Sequence, residues 1–147
     1  MTESVSFLLD THAFIWGLTD PQRLGNAARE VMGSRENRLL VSAASAWEIS
    51  TKFRLGKLPG ADTIVRNFEG YVAEFGAQPL DVSMSHALLG GSLGWAHRDP
   101  FDRMLAAQAL IEGHRLISRD SVFSDVQGLE VIWDCLLYTS PSPRDGL

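Results

Sequence analysis

The sequence has one cysteine among its 147 residues, Cys135, so it cannot form an internal disulfide. This excludes the small secreted domains whose stability depends on several disulfides. No apolar run approaches the roughly 20 residues that a membrane-spanning helix needs. The first residues also lack the basic start and apolar stretch of a secretory signal. We therefore expect a cytoplasmic protein that does not cross a membrane.

Positive charge is also scarce, because 13 Lys and Arg residues stand against 18 Asp and Glu residues. The net charge of −5 excludes a broadly basic surface for nucleic acid, which needs clustered Lys and Arg. It does not exclude a nuclease, since carboxylates around a divalent metal are neutralised locally and the metal attracts phosphate. With 45% hydrophobic residues, the chain has the size and apolar content of one domain with one core.

The C-terminal segment differs in composition from the rest of the chain. Residues 135–145 resemble a translated adapter from sequencing libraries, and residues 139–143 carry two prolines and no apolar periodicity. We therefore predict one domain over residues 1–134 and a non-native, disordered, adapter-like tail over residues 135–147.

Short apolar segments alternate with amphipathic segments along residues 5–133. Strands are predicted at 5–9, 39–42, 78–82, 115–118 and 129–133. Helices are predicted at 12–18, 26–32, 43–55, 61–75, 85–89 and 101–111, with a break at Gly90-Gly91. This alternation predicts a single α/β domain with a parallel sheet covered by helices on both faces.

Four acids occupy corresponding places in this pattern. Asp10 ends the first strand, Glu48 lies early in the helix after the second, Asp102 opens the helix before the fourth, and Asp120 follows the fourth. Ligands of parallel sheets bind beyond the carboxyl ends of the strands, so these acids could share one crevice. Converging carboxylates repel unless a cation compensates. Oxygen ligands without a Cys or His cluster suit Mg²⁺ or Mn²⁺, which can activate water for displacement at phosphorus.

Most of these acids also have a structural explanation. Glu48 and Ser45 fit a capping box, and Lys52 could form a helical pair with Glu48 or contact phosphate. Asp120 could cap the segment that follows it. Asp10 is the hardest to explain structurally, because a carboxylate at the end of a buried strand is costly without partners.

Asp99 and Asp102 open the same helix and invite different roles. Asp99 fits the N-cap, Pro100 the first helical position and Asp102 a position where a carboxylate favours the helix dipole. Because one acid suffices as a cap, we predict Asp99 as the cap and Asp102 as the metal ligand.

Basic and aromatic residues beside these acids have ordinary default roles. Solvated surface charge is expected for Arg98, Arg103 and Arg119, with phosphate contact as the alternative. Packing is expected for the four tryptophans, Trp16, Trp47, Trp95 and Trp133, with base stacking as a remote alternative. His12 and His97 should lie near the crevice without forming a ligand pair.

Four ordered segments together resemble the signature blocks of VapC-type PIN domains across residues 5–133. They are Leu8-Leu9-Asp10-Thr11-His12, Ser45-Ala46-Trp47-Glu48-Ile49 with Lys52 and Gly56-Lys57-Leu58, the run from Arg98 to Ala109, and Ile117-Ser118-Arg119-Asp120. The resemblance implies a mostly parallel, five-stranded PIN-like fold flanked by helices, and Mg²⁺- or Mn²⁺-dependent RNA cleavage. Asp10, Glu48, Asp102 and Asp120 match the acidic quartet that holds the metal, with Thr11, Ser118 and Lys52 in support.

The same resemblance implies two protein partners. A cognate VapB-type antitoxin would insert a segment into the active-site groove, and the toxin would commonly form a homodimer.

Three other readings compete with this one. A haloacid-dehalogenase-like phosphohydrolase expects an acid two residues after Asp10, where His12 stands. A response-regulator receiver expects an acid pair before Asp10 and a late lysine, and neither is evident. A non-catalytic PIN-like binding module would use the acids as helix caps, and RNA cleavage by the purified protein distinguishes it.

Overall fold

Five strands and seven helices alternate along residues 5–134, the part of the chain that the computed structural model describes. The strands are β1 (Ser6–Leu9), β2 (Arg38–Ser42), β3 (Ala77–Leu80), β4 (Arg115–Ile117) and β5 (Val131–Ile132). The helices are α1 (Thr11–Thr19), α2 (Asn26–Gly33), α3 (Ala43–Arg54), α4 (Asp62–Arg66), α5 (Phe68–Glu74), α6 (Met84–Ser92) and α7 (Pro100–Glu112). Short 3-10 helices cover Pro21–Arg23 and Ser121–Asp125. Within this range no helix has the length and apolarity to cross a membrane.

The five strands form one parallel sheet in the order β3-β2-β1-β4-β5. Leu8 of β1 is in register with Leu40 of β2 on one side and Leu116 of β4 on the other. The predicted α/β class and parallel five-stranded sheet are confirmed. Because the strand order reverses between β1 and β4, a crevice is expected beyond the carboxyl ends of these two strands.

Side chains of the central strands alternate between two apolar layers. Phe7 and Leu9 face a cluster that includes residues of α1, α2 and α5, whereas Leu8 faces a cluster that includes residues of α7 and the second 3-10 helix. All three are buried, Leu8 and Leu9 completely. The sheet is therefore covered on both faces.

The prediction of one helix over residues 61–75 is wrong in one respect. The structure has two helices there, α4 and α5, which meet at Asn67. Asn67 leaves the helical region, with φ −139° and ψ 49°. The Asn67 side chain lies directly against Gly70. A Cβ at position 70 would be only 2.5 Å from the side-chain amide of Asn67, so only glycine leaves room for it. The apolar periodicity continues across the break, so periodicity alone does not detect it.

The predicted break at Gly90-Gly91 is also wrong, because α6 continues to Ser92. A Cβ on Gly90 would already be in contact with the backbone of Arg103 and Met104, at 3.6 Å. The glycine thus lets α6 lie close against α7.

The last strand is shorter than predicted. β5 covers only Val131–Ile132 of the predicted 129–133. Gly128 has a positive φ of 86°, and Leu129 after it is buried in the core and not part of the strand.

Candidate active site

Asp10 connects β1, α1 and β4 at the carboxyl edge of the sheet. Its backbone N–H donates to the Ile117 carbonyl at 3.0 Å, and its carboxylate accepts from the backbone N–H of Ala13 at 2.7 Å. Asp10 is therefore the N-cap of α1. Sequence reasoning missed this partner, although an acid directly before a helix is the usual signal for a cap.

The Asp10 carboxylate is buried and lies close to other acids. Burial raises its pKa to about 6, hydrogen bonds from the Ser118 side chain and Ala13 N–H oppose the rise, and the charges of Glu48 and Asp120 add to it. The ionised form of the Asp10 carboxylate is therefore disfavoured by its surroundings. A bound cation would stabilise that ionised form.

Glu48 is held in the crevice by residues of α1 and α3. It is 4% exposed; Oε1 accepts from the Thr11 hydroxyl at 2.6 Å, and Oε2 lies 2.5 Å from Lys52 Nζ. Ser42, not Ser45, caps α3, so the capping-box explanation of Glu48 is wrong. Ser45 instead lies inside the helix, 3.0 Å from the Thr11 hydroxyl. Glu48 thus has no capping role.

Lys52 forms the helical pair with Glu48 that was one of its two predicted roles. Burial by itself would lower the Lys52 pKa, but the hydrogen bond with Glu48 and the charges of nearby acids raise it overall. The lysine therefore stays protonated and compensates the buried glutamate.

Asp99 and Asp102 divide their roles at the start of α7. Asp99 Oδ1 accepts from the backbone N–H groups of Phe101, at 2.8 Å, and Asp102, at 3.1 Å, so Asp99 is the N-cap as predicted. The Asp102 side chain is free of capping and lies 2.8 Å from His97 Nε2. Burial raises the Asp102 pKa to about 6, the His97 hydrogen bond opposes this, and the charges of Asp99 and Glu48 add to it.

Asp120 combines a capping role with a place in the crevice. It is exposed, its side chain accepts from Val122 N–H at 3.0 Å, and it caps the 3-10 helix that follows. Its own N–H donates to the Ser118 hydroxyl at 3.0 Å. The buried Ser118 hydroxyl also lowers the pKa of Asp10, so it interacts with the residues that follow both β1 and β4.

The four predicted acids influence one another electrostatically. The charges of Glu48 and Asp120 add to the rise in the pKa of Asp10, and the charge of Glu48 adds to that of Asp102. These effects are consistent with acids at one end of the sheet. Within residues 5–134, no three carboxylate, imidazole or thiol groups gather into a ready-made metal cluster.

This donor set nevertheless fits a hard divalent cation. All its ligands are carboxylate oxygens, and Mg²⁺ is usually held by one or two carboxylates together with water and substrate phosphate. The raised pKa values of Asp10 and Asp102 show that their negative charge is incompletely compensated by the protein.

A cleft of about 430 Å³ opens beside Asp10 and Asp120, and it is lined as well by His12, Trp16, Arg119 and Ser121. Trp47 and Phe101, the chain neighbours of Glu48 and Asp102, pack edge-on with ring centroids 4.7 Å apart. The packing role predicted for Trp47 is only partly correct, because its residue is 58% exposed. Trp16 is therefore the tryptophan that shares a cleft with two of the acids.

The surface role expected for Arg103 is wrong. Its guanidinium donates to the carbonyls of Gly90, Leu93, Trp95 and His97 at 2.6 to 2.8 Å, which fixes the end of α6 and the loop before α7. Arg103 therefore positions the segment that carries His97. Arg119 behaves differently, because it is exposed and its guanidinium lies over the Trp16 ring.

Sequence comparisons match most of the chain to known proteins. The profile described as PIN domain matches residues 7–129. Ribonuclease VapC16 of Mycobacterium tuberculosis is 38% identical over 61 residues, which is 42% of this chain and 43% of that protein. Ribonuclease VapC22 of the same organism is 28% identical over 116 residues, 77% of this chain and 85% of that protein. The matched part thus spans less than half of the first relative and most of the second.

Solved structures share the fold at low sequence identity. A chain of VapBC2 from Rickettsia felis, bound to a DNA fragment from its promoter, has a TM-score of 0.64 at 14% identity, covering 88% of this chain and all of that chain. A chain of DNA-bound VapBC from Salmonella typhimurium has a TM-score of 0.66 at 19% identity, covering 87% and 97%. At such identities the likeness shows the fold alone.

Proposed function

The chain belongs to the PIN domain family, and on that premise we propose that it is a Mg²⁺- or Mn²⁺-dependent endoribonuclease, the toxin of a VapBC-type pair. Its proposed metal-holding residues are Asp10, Glu48, Asp102 and Asp120. The observation that supports the proposal is that Asp10 and Asp120 follow the adjacent strands β1 and β4 at the carboxyl end of the sheet, and that the charge of Glu48 acts on both Asp10 and Asp102. Two ribonucleases among the sequence relatives support the choice of RNA as substrate.

The bound ion would supply Lewis-acid polarisation of a phosphodiester and activation of water. The protein's own residues hold the acids ready. Thr11 and Lys52 fix Glu48, His97 fixes Asp102, and the Ser118 hydroxyl favours the ionised form of Asp10. Such prearranged partners limit the reorganisation needed when substrate binds. Thr11, Ser118 and Lys52 are therefore proposed as positioning residues.

RNA cleavage by the purified protein tests the proposed activity. A 5′-labelled single-stranded RNA mixture is incubated with Mg²⁺ or Mn²⁺, and in parallel with EDTA. We expect internal cleavage only with the ion, and none by Asp102→Asn at equal folded concentration. Cleavage that persists in EDTA, or that Asp102→Asn retains, would contradict the assignment.

We also propose a cognate VapB-type antitoxin as partner. Because the crevice collects several carboxylates, the inserted antitoxin segment should present a basic side chain there. The test is to search the adjacent genes for a small reading frame, coexpress its product with the protein, purify the complex and measure RNA cleavage. We expect a stable, inactive complex that regains activity when the inserted basic residue is changed to Ala. A complex that remains fully active would contradict inhibition through the crevice.

Two further properties belong to this proposal. We place the protein in the cytoplasm, where its RNA substrate is found, and expect the toxin alone to form a homodimer. Light scattering coupled to gel filtration measures the mass of the toxin alone. A monomeric mass throughout the micromolar concentration range would contradict the homodimer.

A non-catalytic binding module is the second candidate. It is favoured by the capping roles of Asp10, Asp99 and Asp120 and by the absence of a closed three-ligand cluster within residues 5–134. Capping does not explain Glu48 or Asp102. RNA binding without ion-dependent cleavage would favour this candidate over the nuclease.

A further inference from the structure

The cleft that contains Asp10 and Asp120 is also lined by aromatic and basic side chains. Trp16 forms one wall, with the His12 ring 5.4 Å from it, centroid to centroid. The Arg119 guanidinium lies over the Trp16 ring at 5.2 Å from its centroid, and that of Arg23 at 4.5 Å. An aromatic surface and two positive charges therefore adjoin the acidic crevice.

The guanidinium of Arg119 has unused hydrogen-bond donors. Within residues 5–134 it is neither in an ion pair nor hydrogen-bonded to a protein acceptor, in contrast to Arg103 and Arg115. The same holds for Arg23 over this range. An arginine held over an aromatic ring with its donors exposed suits a phosphate, which it can bind through two N–H groups.

The volume of the cleft, about 430 Å³, lies within the ~300–1,000 Å³ typical of small-molecule pockets. Aromatic side chains hold the unstacked bases of single-stranded RNA, and every base offers a face for stacking. From this geometry we infer that the cleft is a nucleotide subsite, in which Arg119 binds an RNA phosphate next to the cleaved one and Trp16 contacts the adjoining base. This inference deepens the proposed function and rests on it.

An antitoxin segment is a less suitable occupant. The basic side chain that would complement the acids would meet Arg119 if it entered this cleft, which is an unfavourable like-charge contact. An RNA strand carries negative charge along its whole length, so a phosphate can bind Arg119 while the cleaved phosphate lies at the acids. Once a cation compensates Asp10 and Asp120, the remaining charge of the cleft is the arginine, which favours RNA.

Binding is measured separately from cleavage to test the subsite. The protein carries Asp102→Asn throughout, and a fluorescent single-stranded RNA of about ten nucleotides is titrated at several salt concentrations with Mg²⁺ present. We expect Arg119→Gln to weaken binding several-fold and to reduce the slope of log K against log salt by about 0.7, the share of one phosphate. Trp16→Leu, which keeps an apolar side chain but removes the aromatic ring, should weaken binding about tenfold at unchanged slope.

Arg115→Gln is the matched control. It removes the same charge from the opposite end of β4, where Arg115 pairs with Glu130, and should leave both affinity and slope unchanged. Melting curves identify any unfolded variant, and Arg119→Gln, an exposed residue, keeps the test valid if Trp16→Leu is unstable.

Equal RNA affinity in Arg119→Gln and Arg115→Gln would overturn the inference, as would weakened antitoxin binding with RNA binding intact. If the protein without Asp102→Asn fails to cleave RNA while these binding differences appear, the proposed nuclease function fails and the subsite stands.

Discussion

The carboxylate of Asp99 accepts a hydrogen bond from the backbone N–H of Asp102, 3.1 Å away. One acid thus caps the helix on which the other is carried, and the two should respond differently to the same substitution. We expect Asp102→Asn to abolish ion-dependent RNA cleavage without loss of stability. Asp99→Asn should keep most activity, because Asn caps a helix about as well as Asp.

Initial cleavage rates of both variants, with a melting curve for each, check this prediction. Asp99→Ala serves as a further comparison and should lower stability by about 0.5 to 2 kcal/mol. An inactive Asp99→Asn beside an active Asp102→Asn would reverse the two roles.

Asp10→Asn should stabilise the metal-free protein at neutral pH. The folded-state pKa of Asp10, about 6, lies above the ordinary value of 3.8, so the folded state binds the proton more tightly. Stability contributed by this group is therefore present below about pH 4 and lost as pH rises through 6. A pKa shift of this size lowers the free energy of unfolding at neutral pH by about 2 to 3 kcal/mol. Asn, which carries no charge, avoids this loss and still caps α1.

Urea unfolding in EDTA at about pH 7.5 and about pH 4.5 measures this effect. The gain of Asp10→Asn over the natural sequence should be large at the higher pH and small at the lower. Asp125→Asn, a change at an exposed acid, controls for net charge and should shift stability by less than about 0.5 kcal/mol. A gain of equal size at both pH values would contradict the assigned cause.

Divalent ions should raise the melting temperature in a pH-dependent manner. Mg²⁺ or Mn²⁺ binds the ionised carboxylates of the folded state, and below about pH 6 protons compete for Asp10 and Asp102. We therefore expect a clear rise at about pH 7.5, a smaller one at about pH 5, and almost none in Asp102→Asn. The prediction fails if Asp102→Asn shows the same rise as the natural sequence.

Arg103→Gln should destabilise the fold by about 2 to 4 kcal/mol, because four backbone carbonyls lose a charged donor. Arg98→Gln removes the same charge five residues earlier, at an exposed position, and should change stability by less than about 0.5 kcal/mol. Chemical unfolding of both variants makes the comparison. Similar values for the two would mean that the Arg103 bonds contribute little in solution.

A chain that ends at Asp134 should be as stable as the full sequence. Residues 135–147 lie outside the described range, and their sequence supplies no patterned apolar face. The Trp133 carbonyl, which accepts from Ala28 N–H at 2.9 Å, remains in the shortened chain. Thermal unfolding of both chains decides, and a melting temperature lower by many degrees would show that the tail contributes to the fold.

Hydrophobic periodicity and the positions of acids predict much of this structure. The order of strands and helices, the parallel sheet and the Asp99 cap all follow from local patterns that carry a physical cause. The four acids follow from the rule that parallel strands end at one edge. These rules do not predict which of the acids bind a metal ion. That depends on distances between side chains that are far apart in the sequence.

Errors arose where tertiary contacts override local preference. Gly90 is a helix breaker in isolation, yet it lies in a helix because α7 packs closely there and Arg103 binds its carbonyl. Asn67 interrupts a continuous apolar pattern because its side chain occupies the space over Gly70. Trp47 remains exposed although its residue type favours burial.

The capping bonds of Asp10 and Asp120 determine how alanine scanning of the crevice can be interpreted. Alanine at either position removes a charge and a helix-end acceptor together, so lost turnover would mix misfolding with chemistry. Alanine at Glu48 or Asp102 carries no such ambiguity from capping. For the first pair, asparagine is the informative replacement, since it separates the electrostatic role of the side chain from its architectural one.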